Sequence, residues 1–318
     1  METQAQYIEG FLGPHEVGVM MAIFLFGLVT IQTFNYFRKY PEDQRGIKVL
    51  VSFVWTLLFT HTIISAFSLY RRTIVGFGKM QDLEQFPEGM CGAFSLSGII
   101  GATVQSFFAF RLRKLSGRSE IAVVCWALSL VRMGSILCIS VTACQAASVR
   151  DYMYHWAWLV IFSLAISAFV DMMIAGSLSY SLWCRRKDVF KHAQRVVDKL
   201  IVWTIHTGSL TSLSSILMLV LYVAVDNFAW VAAYLVISGF FANYLLASLN
   251  ARRSLREDMN RKPTFFDIET LAVDLVHQPG YTLPSATDEV HRIDLTGSLS
   301  EDTMPTSMHG PALTGSGK

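Results

Sequence analysis

The chain has 318 residues, of which 53% are hydrophobic and 16% are charged, and its formal net charge is +2. A soluble domain carries about 25% charged residues, so this composition argues against a soluble protein and indicates one whose main solvent is lipid. No run of basic residues interleaved with aromatic ones is present, so nucleic acid is not an expected partner.

Seven apolar stretches, each long enough to cross a bilayer, divide the sequence up to Leu249. A helix needs about 20 apolar residues to span a hydrocarbon core about 30 Å thick. The predicted spans are Val17–Phe37, Val49–Tyr70, Cys91–Phe110, Ile121–Ala147, Trp156–Trp183, Leu200–Val225 and Ala229–Leu249. They lack the alternating hydrophobicity that is typical of barrel strands, so the sequence predicts an all-α, seven-helix membrane bundle.

The segment before the first span, residues 1–16, carries Glu2, Glu9 and Glu16 and no basic residue. A cleavable signal peptide has a basic region ahead of its apolar core. We therefore expect the first apolar stretch to be kept as a span, with residues 1–16 as a short extracellular N-terminus. All eight prolines lie outside the predicted spans, which favours regular helices over the broken helices of many transporters.

Lysine and arginine are distributed unevenly between the connections. Nineteen lie in the first, third and fifth connections and in the segment Asn250–Lys262 after the last span, whereas the other connections hold only Arg71, Arg72, Lys79 and Arg150. Cytoplasmic loops carry the positive excess, so we predict an external N-terminus and a cytoplasmic C-terminus. The sixth span is the weakest because it is rich in Ser and Thr. Without it, the basic segment Asn250–Lys262 would lie outside, against the charge rule.

The composition changes again at about Glu257, where large apolar residues become rare. Ser, Thr, Pro, Gly and acidic residues replace them, and such a segment cannot bury enough surface to become ordered. The predicted domains are therefore the seven-helix domain, 17–256, and a disordered cytoplasmic tail, 257–318. The Ser and Thr residues of the tail are candidate phosphorylation sites, and a passive tail is the alternative. The basic inner loops and the tail are candidate surfaces for a cytoplasmic partner.

Two charged residues lie deep within the predicted spans, Arg132 in the fourth and Asp171 in the fifth. Charged groups at membrane depth are costly and usually find a partner inside the bundle. From the helical rise, both lie about 16–20 Å from the cytoplasmic ends of their helices. We predict an Arg132–Asp171 ion pair near the midplane, with His61 at similar depth. The pair either locks two helices together or serves binding or switching.

A second polar layer is predicted nearer the cytoplasm. Gln105, His206 and Asn243 come from the third, sixth and seventh spans, each about 9–10 Å above the inner face. Polar groups of this kind ordinarily hydrogen-bond between helices and serve packing. A proton relay through His206 is the alternative.

The five cysteines show neither a CxxC pair nor a Cys/His spacing suited to zinc. Cys91 and Cys144 fall near the outer ends of their spans, so they are candidates for an outer disulfide, although the sequence does not give their separation. Cys184 follows the fifth span beside basic residues and is either a palmitoylation site or a plain interfacial cysteine. We expect no metal and no cofactor.

Motifs of known catalytic chemistry are missing from the sequence. It contains no hydrolase elbow, Walker loop, HExxH or dinucleotide fingerprint, so we do not expect an enzyme. The seventh span has no Lys, which excludes the retinal Schiff base of microbial rhodopsins. Rhodopsin-type receptors carry acid-Arg-Tyr after the third span and Asn-Pro-x-x-Tyr in the seventh. This chain has Phe110-Arg111-Leu112 and Asn243-Tyr244-Leu245 in those places.

Several segments spread over the bundle carry a resemblance to a known family. They are Leu12-Gly13-Pro14, Gln32–Tyr40 followed by Pro41-Glu42-Asp43, His61, Val104–Phe108 with Arg111, Asp171 with Ile174, Thr207–Ser212, and Leu246–Arg252. Through them, roughly residues 12–256 resemble a large family of seven-helix membrane proteins of unknown function from mushroom-forming fungi. Arg132 is not part of the pattern. The resemblance implies membership of that family and carries no established activity.

Three functions agree with these features, and the sequence does not predict a ligand. The first is a receptor-like or sensor-like protein, in which the outer helix ends and the Arg71–Gly92 loop receive a stimulus. The second is a channel or transporter lined by Arg132, Asp171 and His61. The third is a scaffold or lipid-interacting protein whose basic loops bind anionic headgroups of the membrane lipid. We expect the plasma membrane rather than an internal one.

Overall fold

A computed structural model gives the structure of residues 2–77, 85–86, 89–117, 119–146, 148–186, 191–224 and 228–260. Within these ranges the chain forms seven long α-helices and no strand, so the predicted all-α class is confirmed. The predicted tail, residues 257–318, lies outside the described residues apart from the last helical turn of backbone.

The helices are α1 (Glu2–Lys39), α2 (Arg45–Tyr70), α3 (Met90–Ser116), α4 (Ser119–Gln145), α5 (Val149–Arg186), α6 (Lys191–Ala224) and α7 (Ala229–Asn260). Each predicted span falls within one helix to within two residues. A turn of π-helix, Arg71–Val75, continues α2.

Six of these helices, α1 to α5 and α7, are long and apolar enough to cross a membrane. In α6 the apolar stretch among the described residues is the shorter Thr211–Ala224. Large apolar side chains such as Phe24, Phe34, Phe169 and Met172 are exposed on the outside of the bundle. A surface of this kind is stable against hydrocarbon rather than water, which indicates an integral, multi-pass membrane protein.

The helices form a closed ring in which each packs against the next and α1 returns against α7. α3 also contacts α5 and α7, and α3 and α7 bury the largest shares of their apolar segments. Short connections make consecutive helices antiparallel. One end of the bundle therefore contains the start of α3, the end of α4, the start of α5, the end of α6 and the start of α7. We call it the disulfide end, because Cys91 and Cys144 are joined there.

Small residues bring α1 and α7 close together. A Cβ atom added to Gly18 would lie 2.7 Å from the backbone Cα of Ala232, and one added to Gly239 would lie 2.8 Å from a side-chain carbon of Leu25. Glycine at a crossing lets two backbones approach within the membrane, where association depends on close packing. The interface needs both glycines for this reason.

Pro14 lies before the first predicted span but inside the first helix, which extends further toward the N-terminus than the span does. α1 begins at Glu2, so the predicted N-terminal segment is helical and Pro14 lies inside the helix. Proline has no N–H to offer the carbonyl four residues earlier, here that of Gly10. The backbone N–H of Phe228, just before α7, donates to this carbonyl at 3.1 Å. The proline thus leaves an acceptor that ties α1 to the start of α7.

Candidate functional site

A cavity lies in the half of the bundle nearest the disulfide end. It has a volume of about 40 Å³, and α3, α4, α5, α6 and α7 all line it. Its walls are mostly apolar, with Phe94, Ile136, Ile139, Met218 and Ile237 among the lining residues. Ligand pockets commonly have volumes of about 300–1,000 Å³, whereas a water molecule occupies about 30 Å³ in the liquid. The cavity therefore has room for a buried water molecule, and a larger ligand would need the lining helices to separate.

Arg132 lines this cavity with a side chain that is only 4% exposed. Its guanidinium carbon lies 5.3 Å from the centre of the Phe241 ring. A Cβ atom added to Gly101 would collide with Nη1 of Arg132, so the glycine makes room for the charged group. Among the described residues, Nε and Nη1 of Arg132 have no hydrogen-bond partner. The cavity wall thus contains a buried charge with two unsatisfied donors.

Some of the other polar groups near the cavity wall have hydrogen-bond partners and some do not. Tyr234 donates to the carbonyl of Phe94 at 3.1 Å, and Ser238 donates to the hydroxyl of Ser97 at 2.7 Å. By contrast, Nε1 of Trp230 and the hydroxyl of Ser167 find no partner within the described part of the chain. Buried polar groups are normally hydrogen-bonded. Unsatisfied groups on one wall are typical of a site that holds water or a ligand.

The predicted Arg132–Asp171 ion pair is not formed. No hydrogen bond or ion pair within 4 Å joins these two described side chains. Instead, Asp171 accepts a hydrogen bond of 2.8 Å from Nε2 of Gln105, and its side chain interacts with Thr211. Arg132 extends past Gly101 toward Phe241. The two charges still attract each other electrostatically, but each side chain faces different neighbours.

His61, the third predicted member of this layer, is completely buried in α2. Neither ring nitrogen has a hydrogen-bond partner among the residues that the structure describes. It does not line the cavity that contains Arg132. The structure therefore does not bring the three predicted residues into one contact layer.

The predicted inner layer of Gln105, His206 and Asn243 also differs from the prediction. Gln105 bonds to Asp171, whereas the side-chain oxygen of Asn243 accepts a hydrogen bond of 3.1 Å from Gln32 in α1. The side chain of His206 lies outside the described residues. The sequence gives the depth of each residue along its helix but not the direction of its side chain, which explains why residues of similar depth have different partners.

A polar cluster joins the ends of α1 and α7 that lie opposite the disulfide end. Asp43 accepts hydrogen bonds from Tyr36 at 2.9 Å and from Arg252 at 2.6 Å. Burial acts to raise the pKa of Asp43, but the hydrogen bonds from Arg252 and Tyr36 outweigh it and lower the pKa. Nearby, Tyr40 donates to the carbonyl of Asn250 at 3.0 Å. The α1–α2 connection is thereby bound to the end of α7.

At the disulfide end, one described residue of the connection between α2 and α3 contacts the cavity wall. Cys91 and Cys144 form a disulfide with Cα atoms 6.0 Å apart, linking α3 to α4. Phe86, from the connection after α2, packs edge-on against Tyr152, with ring centres 5.1 Å apart. Because Tyr152 lines the cavity, the connection predicted to receive a stimulus contacts the cavity wall directly.

The sequence did not predict the residues of the cavity wall or the polar cluster around Asp43. Trp230, Tyr234 and Ser167 look like ordinary residues of an apolar helix, so no signal distinguished them. The sequence did single out two members of the polar cluster, because Asp43 and Arg252 both fall in segments that carry the family resemblance. Their separation of more than 200 residues gave no indication that they meet.

Part of the chain matches a known protein family. Residues 167–254 match DUF6534, described as a family of unknown function. The matched segment covers less than a third of the chain and runs from Ser167 on the cavity wall through α6 and most of α7. No curated protein and no solved structure matched the chain. The match agrees with the predicted resemblance to a family of unknown function over this segment, while its fungal and seven-span character stays a prediction.

Proposed function

We propose that this chain is a receptor-like or sensor-like, non-enzymatic membrane protein with seven spans, whose cavity at the disulfide end binds a small ligand. The observation that carries this proposal is the buried guanidinium of Arg132 on the cavity wall, where Nε and Nη1 have no partner among the described residues. A buried charge without a partner is costly to keep. A ligand that satisfied it would stabilise the protein and couple binding to the packing of five helices.

The proposed orientation has the disulfide end outside and the plasma membrane as its location. The excess of basic residues at the opposite end supports it. A disulfide forms and persists in oxidising compartments and on the cell surface, and the Cys91–Cys144 bond lies at the end that is proposed to be external. α6 counts as the sixth proposed span because it packs against both α5 and α7.

Packing below the cavity favours sensing over conduction. Buried residues of α3 and α7, including Phe108, Leu112, Leu245 and Leu249, fill the inner half of the bundle. Phe108 also stacks on Tyr244, with ring centres 4.1 Å apart. An open channel needs continuous space across the membrane. A closed inner half instead suits a ligand that changes helix positions and thereby the inner surface, where basic loops would meet a cytoplasmic partner.

A transporter is the second candidate, because of Asp171. One carboxylate oxygen of this buried residue has no hydrogen-bond partner in the described structure, and ionisable groups inside membranes often belong to ion pathways. Transport would require the inner half to open. A pure scaffold is less well supported, since it gives the cavity and its unpartnered groups no role.

The orientation is tested by labelling intact cells with a membrane-impermeant maleimide after mild reduction. With Cys91 and Cys144 outside, the thiols of these two residues should react only after reduction. A Cys91→Ser, Cys144→Ser variant should lose this signal, and cysteines introduced at Glu42 should react only in permeabilised cells. Labelling of Glu42→Cys in intact cells would reverse the orientation.

The function is tested by screening the purified full-length protein for thermal stabilisation by metabolites, lipids and ions. Ser163 lines the cavity and is buried, so Ser163→Phe should fill the site and abolish stabilisation by a true cavity ligand. Amide hydrogen exchange should then slow at the inner ends of α1 and α7 in the wild type only. A ligand that binds in the cavity but is carried across liposome membranes would instead establish transport.

A further inference from the structure

We infer that two copies of this chain associate within the membrane through a groove on the outer surface of α5 and α6. This α5–α6 groove lies between residues 172–179 of α5 and residues 205–216 of α6. The inference goes beyond the proposed function, because the groove is separate from the cavity inside the bundle and the test needs no ligand.

The α5–α6 groove has room for part of a neighbouring molecule. Its volume is about 680 Å³, against about 40 Å³ for the cavity inside the bundle. Two residues of its rim, Met172 and Leu213, are 62% and 63% exposed. A Cβ atom added to Gly208 would lie 2.2 Å from the Cβ atom of Ala175, so the two helices touch at the floor of the groove. The groove is thus closed toward the bundle and open toward the membrane.

Small side chains in the groove allow another backbone to come close. Gly176 and Ser209, both exposed, lie on its wall. A Cβ atom added to Gly176 would meet nothing within 4 Å, so packing within one copy does not require a glycine there. Transmembrane helices associate through small residues, because these let two backbones approach. The lining of the groove therefore has the composition of a helix–helix contact.

Two hydroxyl groups of the groove favour a helix over lipid chains as the neighbour. Ser212 is 5% exposed, and neither its hydroxyl nor that of Ser179 has a hydrogen-bond partner among the described residues. Ser65 and Ser135, by contrast, donate to the carbonyl four residues earlier. Ser212 lies at the middle of the sixth predicted span, where lipid chains offer no hydrogen-bond partner. Because a serine hydroxyl turns by rotation about one bond, a neighbouring helix can supply that partner.

The composition of α6 also favours a protein neighbour. Its apolar stretch among the described residues is only Thr211–Ala224, so the part of the groove around Ile205 and Ser209 falls outside that stretch. Ser209 is nevertheless exposed on the surface of a single copy. Polar groups are unfavourable against hydrocarbon. A helix that covers this part of α6 would remove it from lipid.

A second copy of this chain fits because the surface around the groove is complementary to itself. Two copies inserted with the same orientation form a symmetric pair only about an axis along the membrane normal, so each residue meets residues at its own depth. No charged side chain is among the described residues that line the groove, so identical surfaces do not repel each other. A hydroxyl both donates and accepts, so Ser212 can pair with its counterpart. With the axis beside α6, Leu213 of each copy enters the groove of the other.

The first test is disulfide crosslinking in native membranes. The background carries Cys138→Ser and Cys184→Ser, which remove two exposed thiols. In this background Leu213→Cys should form a disulfide-linked dimer on oxidation, because the axis brings the two introduced thiols together. Ile63→Cys is the control, since Ile63 is 53% exposed but belongs to α2, which does not line the groove. This control and the background itself should give no dimer under the same conditions.

The second test measures the dimerisation constant of the full-length protein by single-molecule photobleaching in liposomes. Gly176→Leu should weaken dimerisation at least about tenfold, because its side chain fills the groove. Gly134→Leu is the matched control. It lies at an exposed position of α4 where an added Cβ atom also meets nothing within 4 Å, so the constant should not change. Ser212→Ala should weaken dimerisation about threefold, the effect of one hydrogen bond between membrane helices.

Three results would overturn the inference. Single-step bleaching of the wild type without crosslinking of Leu213→Cys would show that the copies do not associate. A dimer that links Ile63→Cys as readily as Leu213→Cys, or that persists unchanged in Gly176→Leu, would use another surface. A monomer that co-purifies with a lipid, and loses it in Gly176→Leu by native mass spectrometry, would make the groove a lipid site. If Gly176→Leu fails to fold, the crosslinking comparison still decides, because it leaves the groove unfilled.

Discussion

Gln105 of α3 donates a hydrogen bond of 2.8 Å to the carboxylate of Asp171 in α5. Both side chains are buried, and the bond joins two helices that are not consecutive in the chain. Because Gln105 occupies Asp171, the arginine on α4 can face the cavity instead of closing an ion pair. The bond therefore leaves the carboxylate of Asp171 and the guanidinium of Arg132 with different neighbours.

Replacing Gln105 by Leu should destabilise the protein by about 1–3 kcal/mol, because it leaves the buried carboxylate of Asp171 with one partner fewer. Asp171→Asn should cost less, since an amide oxygen can still accept the bond without a buried charge. The measurement is the free energy of unfolding in mixed micelles for both single variants and the double variant. Additive effects of the two changes would show that the bond does not couple α3 to α5.

Gly101→Ala should move the guanidinium of Arg132 without displacing a backbone. The added Cβ would collide with Nη1, which is the far end of a flexible side chain. We expect the melting temperature to fall, because the tightly packed guanidinium would have to take another buried position. Gly134→Ala is the matched control, because a Cβ atom there meets nothing within 4 Å and alanine is favoured in a helix by up to about 1 kcal/mol. Equal melting temperatures of the two variants would contradict the assigned position of Arg132.

The extent of the helices could be predicted from the sequence, because burial in lipid imposes a simple length and composition on every span. Each predicted span lies within one helix to within two residues, but α1, α5 and α6 begin before their spans and α7 ends after Leu249. These polar helix ends depend on contacts that composition does not show. At the start of α1, for example, Phe228 donates to the carbonyl that Pro14 leaves free, a contact between distant segments.

The site could be predicted only in part. Arg132, Asp171, His61 and Gln105 are buried polar residues, as expected for polar groups at these depths. Their partners depend on the rotation of each helix about its axis, and the hydrophobic pattern of a helix surrounded by lipid and protein defines that rotation poorly. For this reason Asp171 meets Gln105 rather than Arg132, and Asn243 meets Gln32.

Gly18→Val should destabilise the α1–α7 interface by about 1–3 kcal/mol, which is typical of overpacking. The first added carbon would meet the backbone of Ala232 at 2.7 Å, and a backbone cannot move aside as a flexible side chain can. Gly27→Val lies on the same helix at an exposed position, where an added Cβ meets nothing within 4 Å, and should be nearly neutral. Similar melting temperatures for the two variants would show that α1 does not approach α7 as closely as described.

The bond between Asp43 and Arg252 should make stability depend on pH. The lowered pKa of Asp43 means that the folded state binds a proton less readily than the unfolded state does. Its contribution is therefore present above the ordinary aspartate pKa of about 3.9 and disappears as pH falls through the lower folded value. Wild type should melt at a higher temperature than Asp43→Asn at pH 7, and the difference should shrink below about pH 4.

Arg252→Gln provides the control for this pH dependence, because it removes the donor that lies 2.6 Å from the carboxylate while Tyr36 still donates to it. In that background, the effect of Asp43→Asn on the melting temperature should be smaller at pH 7 and should change less with pH. Added salt should also reduce the effect of Asp43→Asn in the wild-type background, since the Arg252 side chain is 37% exposed and exposed charges are screened. A melting difference that stays constant from pH 7 to pH 3 would mean that Asp43 is not held as a carboxylate by Arg252.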